Sequence, residues 1–342
     1  MKKNNKTNSS SALRNNLITF LQQNKLESFE DKMIDDLLMN IEKVREHDFD
    51  SYELRLLSTA FKELRHSFRI FKEYYKIPKA AVFGSARTPK RHPDYQIARE
   101  FGKSLVKRKW MVITGGASGI MEAAMVGAGT KNSFGLNIRL PFEQDANEVI
   151  RGNKKLMNFK YFFTRKLMFL KESQATVLFP GGFGTFDEGF ESLTLIQTGK
   201  ARPRPVVLVD SPGSNYWSIL LDAFRATLEK EKFISQGDLD LMDHCQNAEQ
   251  AADIIERFYS NYHSSRFMGN DYLIRLKKPI SALMLKRLNR DFADVLSKGT
   301  FDRFKKIADD DVKDKSLHRI VFAFNKSSYA RLKKLIDHLN EY

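Results

Sequence analysis

Apolar residues recur every three or four positions in the first part of the chain. Leu37, Leu38, Ile41 and Val44 form one series, and Leu54, Leu57, Phe61, Leu64, Phe68 and Phe71 form another. That period predicts helices between Leu13 and Tyr75. Asp50-Ser51-Tyr52-Glu53 has the spacing of a capping box and marks where the second series starts. Pro78 closes the helical region. From Lys79 onward short apolar runs alternate with helical stretches. Ala80–Phe83, Met111–Thr114, Phe134–Leu140, Ala175–Phe179 and Pro205–Val209 read as strands. Tyr95–Val106, Gly119–Gly127, Tyr161–Glu172 and Phe186–Ile196 read as the helices between them. This alternation predicts right-handed βαβ units, hence a doubly wound, mainly parallel α/β sheet. After a helix ending near Tyr262 the pattern changes again. Tyr272–Leu276 and Arg319–Phe324 read as strands, Ile280–Leu296 and Ser327–Leu339 as helices. The expected organisation is an N-terminal tail and helical extension over 1–77, a Rossmann-like domain over 78–262, and a small α+β appendage over 263–342.

Composition adds bounds rather than identity. The chain has 342 residues, 42% of them hydrophobic, enough for a substantial core. The single cysteine, Cys245, cannot form an intrachain disulfide. No apolar run approaches the ~18 residues a membrane span needs. The start, MKKNNKTNSSSALRNN, is polar and basic and lacks the apolar stretch of a secretory signal. It reads as a disordered tail, and the cytoplasm is the expected location. The formal charge of +15 could attract nucleic acid or phosphorylated small molecules. It is spread out, however, at about +2 before Pro78, about +6 from there to Gly269 and about +7 beyond. A solvated basic surface is the simpler reading, and nucleic acid is not expected as a partner.

Several predicted strands run into glycine turns followed by helices. Gly84-Ser85 follows the first, Gly115-Gly116 the second, and Pro180-Gly181-Gly182 the fourth. Glycine lets backbone N–H groups approach an anion, and the following helix adds its positive end. Phosphate suits such a place, although a tight turn alone explains most glycines. The familiar alternatives fail. No G-x-G-x-x-G opens a helix after the first strand. Gly102-Lys103-Ser104 resembles the end of a P-loop, but Ile97 stands where its first glycine belongs. The seven histidines are scattered without metal-ligand spacing.

One segment is far more specific. Pro180-Gly181-Gly182-Phe183-Gly184-Thr185-Phe186-Asp187-Glu188 resembles the P-G-G-x-G-T-x-x-E signature of the Lonely Guy (LOG) phosphoribohydrolases, a family often mislabelled lysine decarboxylases. Gly115-Gly116-Ala117-Ser118-Gly119-Ile120-Met121 resembles its G-G-x-x-G-x-M turn, and Arg165-Lys166 its R-K pair. The resemblance covers about Lys79 to Tyr262. Leu136-Asn137-Ile138 and Asn158–Phe163 look like a longer bacterial subgroup. The resemblance implies hydrolysis of a nucleoside 5′-monophosphate to free base and ribose 5-phosphate. It implies no metal, pyridoxal or nicotinamide cofactor, and usually a homodimer. The substrate is left open between AMP-like and cytokinin-type nucleotides.

Breaking an N-glycosidic bond develops positive charge on the ribose and negative charge on the departing base. The resemblance places the stabilising carboxylate at Glu188 and the cation at Arg165, with Lys166 in support. The phosphate is expected on Gly182, Gly184 and Thr185 at the helix start, with Gly181 also among the substrate-binding residues. Gly115, Gly116 and Gly119 are expected on the ribose or base side, with Gly84 and Ser85 reaching in from the first strand. Glu188 has a competing reading, because Thr185-x-x-Glu188 ahead of an apolar run is also a capping box. A nucleotide-sensing or nucleic-acid-binding module on the same fold is the alternative function.

Overall fold

The computed structural model describes residues 28–140, 146–304 and 314–341, together with Thr19 and Val312. The predicted tail and the segment from Leu13 to Glu27, apart from Thr19, lie outside the described residues, as does Pro141. The chain divides into two units, 1–62 and 63–342. In the first, α1 (Phe29–Glu46) is capped by Ser28, whose hydroxyl accepts the Asp31 N–H at 3.1 Å. The capping box at the start of α2 (Ser51–Lys72) forms in full. Asp50 Oδ1 accepts the N–H groups of Tyr52 and Glu53 at 2.7 Å each, and Glu53 Oε2 accepts that of Asp50 at 3.0 Å.

The second unit contains the sheet. In chain order come β1 (Lys79–Phe83), α3 (Pro93–Lys107), β2 (Met111–Thr114), α4 (Ile120–Ala128), β3 (Ser133–Ile138) and β4 (Leu156–Phe159). Then follow α5 (Phe162–Glu172), β5 (Ala175–Leu178), α6 (Phe183–Gln197), β6 (Val206–Val209), α7 (Tyr216–Phe224), β7 (Met242–Cys245) and α8 (Ala248–Phe258). The seven strands are parallel and ordered β4-β3-β2-β1-β5-β6-β7. The chain winds outward from β1 to β4, then returns to β1's other side and winds outward again. Helices cover both faces, so interior strands are apolar on both sides. Tyr95, Phe101, Ile120, Met125 and Ile255 fill one face, and Phe71, Met168, Phe169, Ile196 and Trp217 the other.

A second, antiparallel sheet is ordered β10-β11-β9-β8. It comprises β8 (Tyr262–Met268), β9 (Asp271–Leu276), β10 (Leu296–Arg303) and β11 (His318–Phe324), with α9 (Ala282–Asp291) and α10 (Tyr329–Asn340) packed on it. The sequence pattern does not predict β4, β7, β8 or β10. All four are edge strands, half-covered, so they carry polar residues where interior strands carry apolar runs. The helix expected over Ile280–Leu296 stops at Asp291, and Leu296 opens β10 instead.

α10 fastens this appendage to the main domain. Lys333 pairs with Asp243 of β7 at 3.2 Å. Asn340 Oδ1 accepts the N–H groups of Asn261 and Tyr262 at 3.1 and 2.8 Å, and its Nδ2 donates to the Phe258 carbonyl at 2.6 Å. One side chain thus supplies three of the hydrogen bonds at the turn from α8 into β8. Asn340→Ala leaves those buried groups unpaired, and chemical denaturation should show a loss of about 2–3 kcal/mol. A loss of a few tenths would show that solvent satisfies the turn.

Candidate active site

The winding of the sheet reverses between β1 and β5. In an open parallel sheet, ligands bind beyond the carboxyl ends of the strands at such a reversal. The predicted glycine turns meet there. The Ser85 N–H donates to the Pro180 carbonyl at 3.0 Å, and the Ser85 carbonyl accepts the Ile120 N–H at 3.0 Å. One residue's main chain therefore ties the ends of β1 and β5 to the start of α4. The glycines around it serve close approach. A Cβ on Gly119, which holds φ +66°, would lie 2.2 Å from the Ser85 carbonyl oxygen. A Cβ on Gly181 would lie 2.9 Å from Ser85 N and 2.1 Å from Thr185 Oγ1, and one on Gly84 2.7 Å from Ile120. Gly116 is turned toward Gly135 and Leu156, and its N–H bonds Thr114 Oγ1 at 3.0 Å. Gly182 and Gly184 differ, since a Cβ on either would meet nothing within 4 Å.

α6 starts at Phe183, with Gly182 as its N-cap and no side-chain cap. Thr185 therefore lies inside the first turn, and its N–H bonds the Gly182 carbonyl at 2.9 Å. The capping-box reading of Thr185 and Glu188 fails because the helix begins upstream of Thr185. The first N–H groups of any helix lack intrahelical acceptors, and an uncapped start leaves them to an anion. The side chain of Tyr216, at the start of α7, fixes the peptide that leads into them. Its hydroxyl donates to the Gly181 carbonyl at 2.5 Å. In a planar trans peptide the N–H points opposite to the C=O, so the Gly182 N–H faces away from Tyr216. Asp210, fully buried after β6, holds that start of α7. It accepts the Trp217 N–H at 3.2 Å and the Ser214 hydroxyl at 3.0 Å, and lies 2.9 Å from His244 Nε2.

Arg165 lies in the first turns of α5, its guanidinium centred 5.0 Å from the Phe162 ring and 5.8 Å from that of Phe169. Its Nη2 stands 3.6 Å from Glu188 Oε1, closer than solvent separation but longer than a hydrogen bond. Among the described residues neither Arg165 Nε nor Glu188 Oε1 has a hydrogen-bond partner, though both are buried. Burial pushes the Glu188 carboxyl up to about 7, opposed by the positive charges of Lys166 and Arg165. Burial also lowers Arg165, against the pull of Glu188 and Asp187. A Cβ on Gly115 would sit 2.8 Å from Met121 Sδ and 4.0 Å from Arg165 Nη1, so the β2 turn borders the pair. Lys166 points elsewhere. It bridges α5 to α6 through Asp187 at 2.9 Å and Glu191 at 2.7 Å, and so supports the arrangement from outside.

Two further residues give no sequence signal. Glu63 of α2 reaches the start of α5, where no residue of α5's own N-terminus caps the helix. Its carboxylate accepts the Lys160 N–H and the Thr164 hydroxyl, each at 2.6 Å. Negative charge at that end is favourable and fixes the helix that carries Arg165. Asn147 donates to the carbonyls of Gly116 and Ala117 at 3.0 Å each, holding the second glycine turn from outside the motif. No cluster of three His, Cys, Asp or Glu side chains among the described residues could hold a metal. No described helix is long and apolar enough to cross a membrane.

Comparison with known proteins agrees with the sequence resemblance. Residues 118–255 match the family described as "Possible lysine decarboxylase". The chain is 27% identical over 170 residues to a "Probable cytokinin riboside 5'-monophosphate phosphoribohydrolase LOG4" of Oryza sativa subsp. japonica, covering 49% of this chain and 71% of that one. Among solved structures, a molybdenum cofactor binding protein from Rippkaea orientalis is 19% identical, over 53% of this chain and 96% of that one, at a TM-score of 0.39. DNA processing protein A from Helicobacter pylori is 14% identical, over 52% and 80%, at 0.36.

The raised Glu188 carboxyl makes stability depend on pH. Its folded value is about 7 against an ordinary 4.5, so the neutral form is the one the fold favours. The stability this contributes is fully present below about pH 4.5 and is lost as pH rises through about 7. Glu188→Gln is neutral throughout. Thermal unfolding should therefore show the variant gaining on the wild type across that window, by an amount on the order of 3 kcal/mol. A constant difference would mean that Glu188 keeps an ordinary carboxylate value in the fold.

Proposed function

We propose that this chain, whose α/β domain resembles the Lonely Guy family, is a phosphoribohydrolase that splits the N-glycosidic bond of a nucleoside 5′-monophosphate into free base and ribose 5-phosphate. The observation that carries this reading is the buried Arg165–Glu188 pair beside an uncapped glycine turn. Buried polar atoms without partners are costly, and a bound substrate would satisfy them. The N–H groups around Gly182, Phe183 and Gly184 would take the 5′-phosphate, with the Thr185 hydroxyl beside them. That places the sugar toward Glu188, one turn further along the same helix.

As the C1′–N bond breaks, its electron pair leaves with the base and positive charge grows on the ribose ring. A carboxylate at Glu188 stabilises that charge, and it ionises more readily as the charge develops. It can also take the proton of the water that adds to C1′. Arg165 faces the negative charge accumulating on the departing base, which a proton finally neutralises. The distant rice relative supports phosphoribohydrolase chemistry in general. Within it, we propose adenine or N6-substituted adenine nucleotides as the substrates. We also propose a homodimer. Phe162, Phe163 and Phe183 stand exposed beside the crevice, and a second copy would cover them.

Product analysis tests the reaction. AMP and N6-isopentenyl AMP should release base and ribose 5-phosphate, while the corresponding nucleosides react about 100-fold less efficiently, because charge-assisted phosphate bonds position the sugar. Equal rates on nucleotide and nucleoside would exclude the glycine turn as a phosphate site. Glu188→Gln and Arg165→Ala should each lower kcat about 100-fold or more in a folded protein.

The aiming of the Gly182 N–H by Tyr216 has its own signature. Tyr216→Phe should raise KM roughly tenfold, the worth of one lost charge-assisted bond, with kcat nearly unchanged. A fall in kcat at constant KM would contradict it.

A further inference from the structure

The two helices ahead of the α/β domain leave a large apolar surface uncovered. α1 is 18 residues long, yet none of its residues is buried. Phe29, Met33, Ile34, Leu37 and Ile41 stand 44–70% exposed on it, and Leu54, Leu57 and Phe61 stand 43–51% exposed at the start of α2. A helix in a folded protein is held mainly by packing of its apolar face rather than by propensity. Exposed apolar surface of this extent marks a contact face. The spacing agrees. Ile34, Leu37, Ile41 and Val44 are separated by three, four and three positions, and Leu54, Leu57 and Phe61 by three and four. That is the spacing of a seam that packs against another helix. Leu64 continues the second series, but it packs on the core of the α/β domain and ends the free stretch.

Charge distinguishes the two helices. α1 carries six acidic and three basic residues, and α2 carries two acidic and five basic. The two apolar faces thus belong to helices of opposite formal charge. Either helix repels its own kind and attracts the other. A surface with one acidic and one basic face is complementary to a second copy of itself about a two-fold axis, because α1 of one copy meets α2 of the other twice. An anionic lipid surface would instead meet the acids of α1. Within one chain both faces remain exposed, so pairing inside a single copy does not cover them.

We infer that α1 and the start of α2 form an arm through which two copies of this chain associate, α1 of each copy lying on α2 of the other. The arm includes neither Phe162, Phe163 and Phe183, the face proposed above for a homodimer, nor Arg165 and Glu188. It goes beyond the proposed reaction and stands or falls without it. Where both faces pair, the chain assembles as a tetramer. Where the arm acts alone, it assembles as a dimer.

Sedimentation equilibrium of the full chain tests the inference by mass. Ile34→Ser, Leu37→Ser and Ile41→Ser together remove the seam of α1 at exposed positions, so the α/β domain should keep its melting temperature. The mass should halve, from tetramer to dimer if the Phe162 face also pairs, and from dimer to monomer if it does not. Charge reversal then identifies the occupant. Asp35→Lys with Asp36→Lys on α1 should raise the dissociation constant about tenfold, as should Arg55→Glu with Lys62→Glu on α2, because each reversal acts twice per interface. The two sets combined should bring it back to within about threefold of the parent value. A parent chain that is monomeric at micromolar concentration overturns the arm. So does an unchanged mass in the seam variant. Failure of the combined sets to restore association overturns the pairing of α1 with α2. If the mass halves as expected while AMP is not hydrolysed by the parent chain, the reaction is wrong and the arm remains.

Discussion

The two hydrogen bonds through the main chain of Ser85 hold the carboxyl edge of the sheet in register. They join the ends of β1 and β5 and the start of α4, and they do so only because glycine stands at 119 and 181. Any side chain at either place would push Ser85 away by more than the packing could absorb. From this junction the Pro180-Gly181-Gly182 turn takes its direction, and α6 takes its starting point. Glu188 is then carried one turn inward, into burial, rather than back over the helix end. Gly84, Gly119 and Gly181 thus build the junction, and Gly182 and Gly184 are left open beside it.

Burial then sets the chemistry. Arg165 and Glu188 approach to 3.6 Å without bonding, which keeps both short of a satisfied ion pair. A closer pair would be self-sufficient and have little to offer a ligand. The same burial that leaves them unsatisfied lifts the Glu188 carboxyl toward neutrality. Opposite-charge partners alone would depress it. Desolvation outweighs them here, and perturbed groups of this kind concentrate where chemistry is done.

The geometry is held from behind by residues outside the motifs. Glu63 caps the helix that carries Arg165, Lys166 bridges that helix to α6, and Tyr216 with Asp210 turns the Gly181 peptide. Each side chain locks an element end, where backbone groups would otherwise lack partners. Substitutions at these places are therefore expected to displace Arg165 and Glu188 rather than remove them.

The order of strands and helices, the parallel sheet and the glycine turns were legible in the amino-acid sequence. Interior strands such as Val206–Val209 are buried on both faces and must be apolar throughout, so they announce themselves. The edge strands Leu156–Phe159, Met242–Cys245, Tyr262–Met268 and Leu296–Arg303 escaped, because half-exposed backbone tolerates polar side chains. The family resemblance singled out Thr185 and Glu188, whose local spacing by itself read as a cap. Only the folded chain set the cap aside, by starting α6 at Phe183, and brought the carboxylate into burial beside Arg165. Glu63, Asn147 and Tyr216 were invisible for the same reason. Local propensity and hydrophobic period act within a few residues, whereas these contacts join positions brought together by the winding of the sheet.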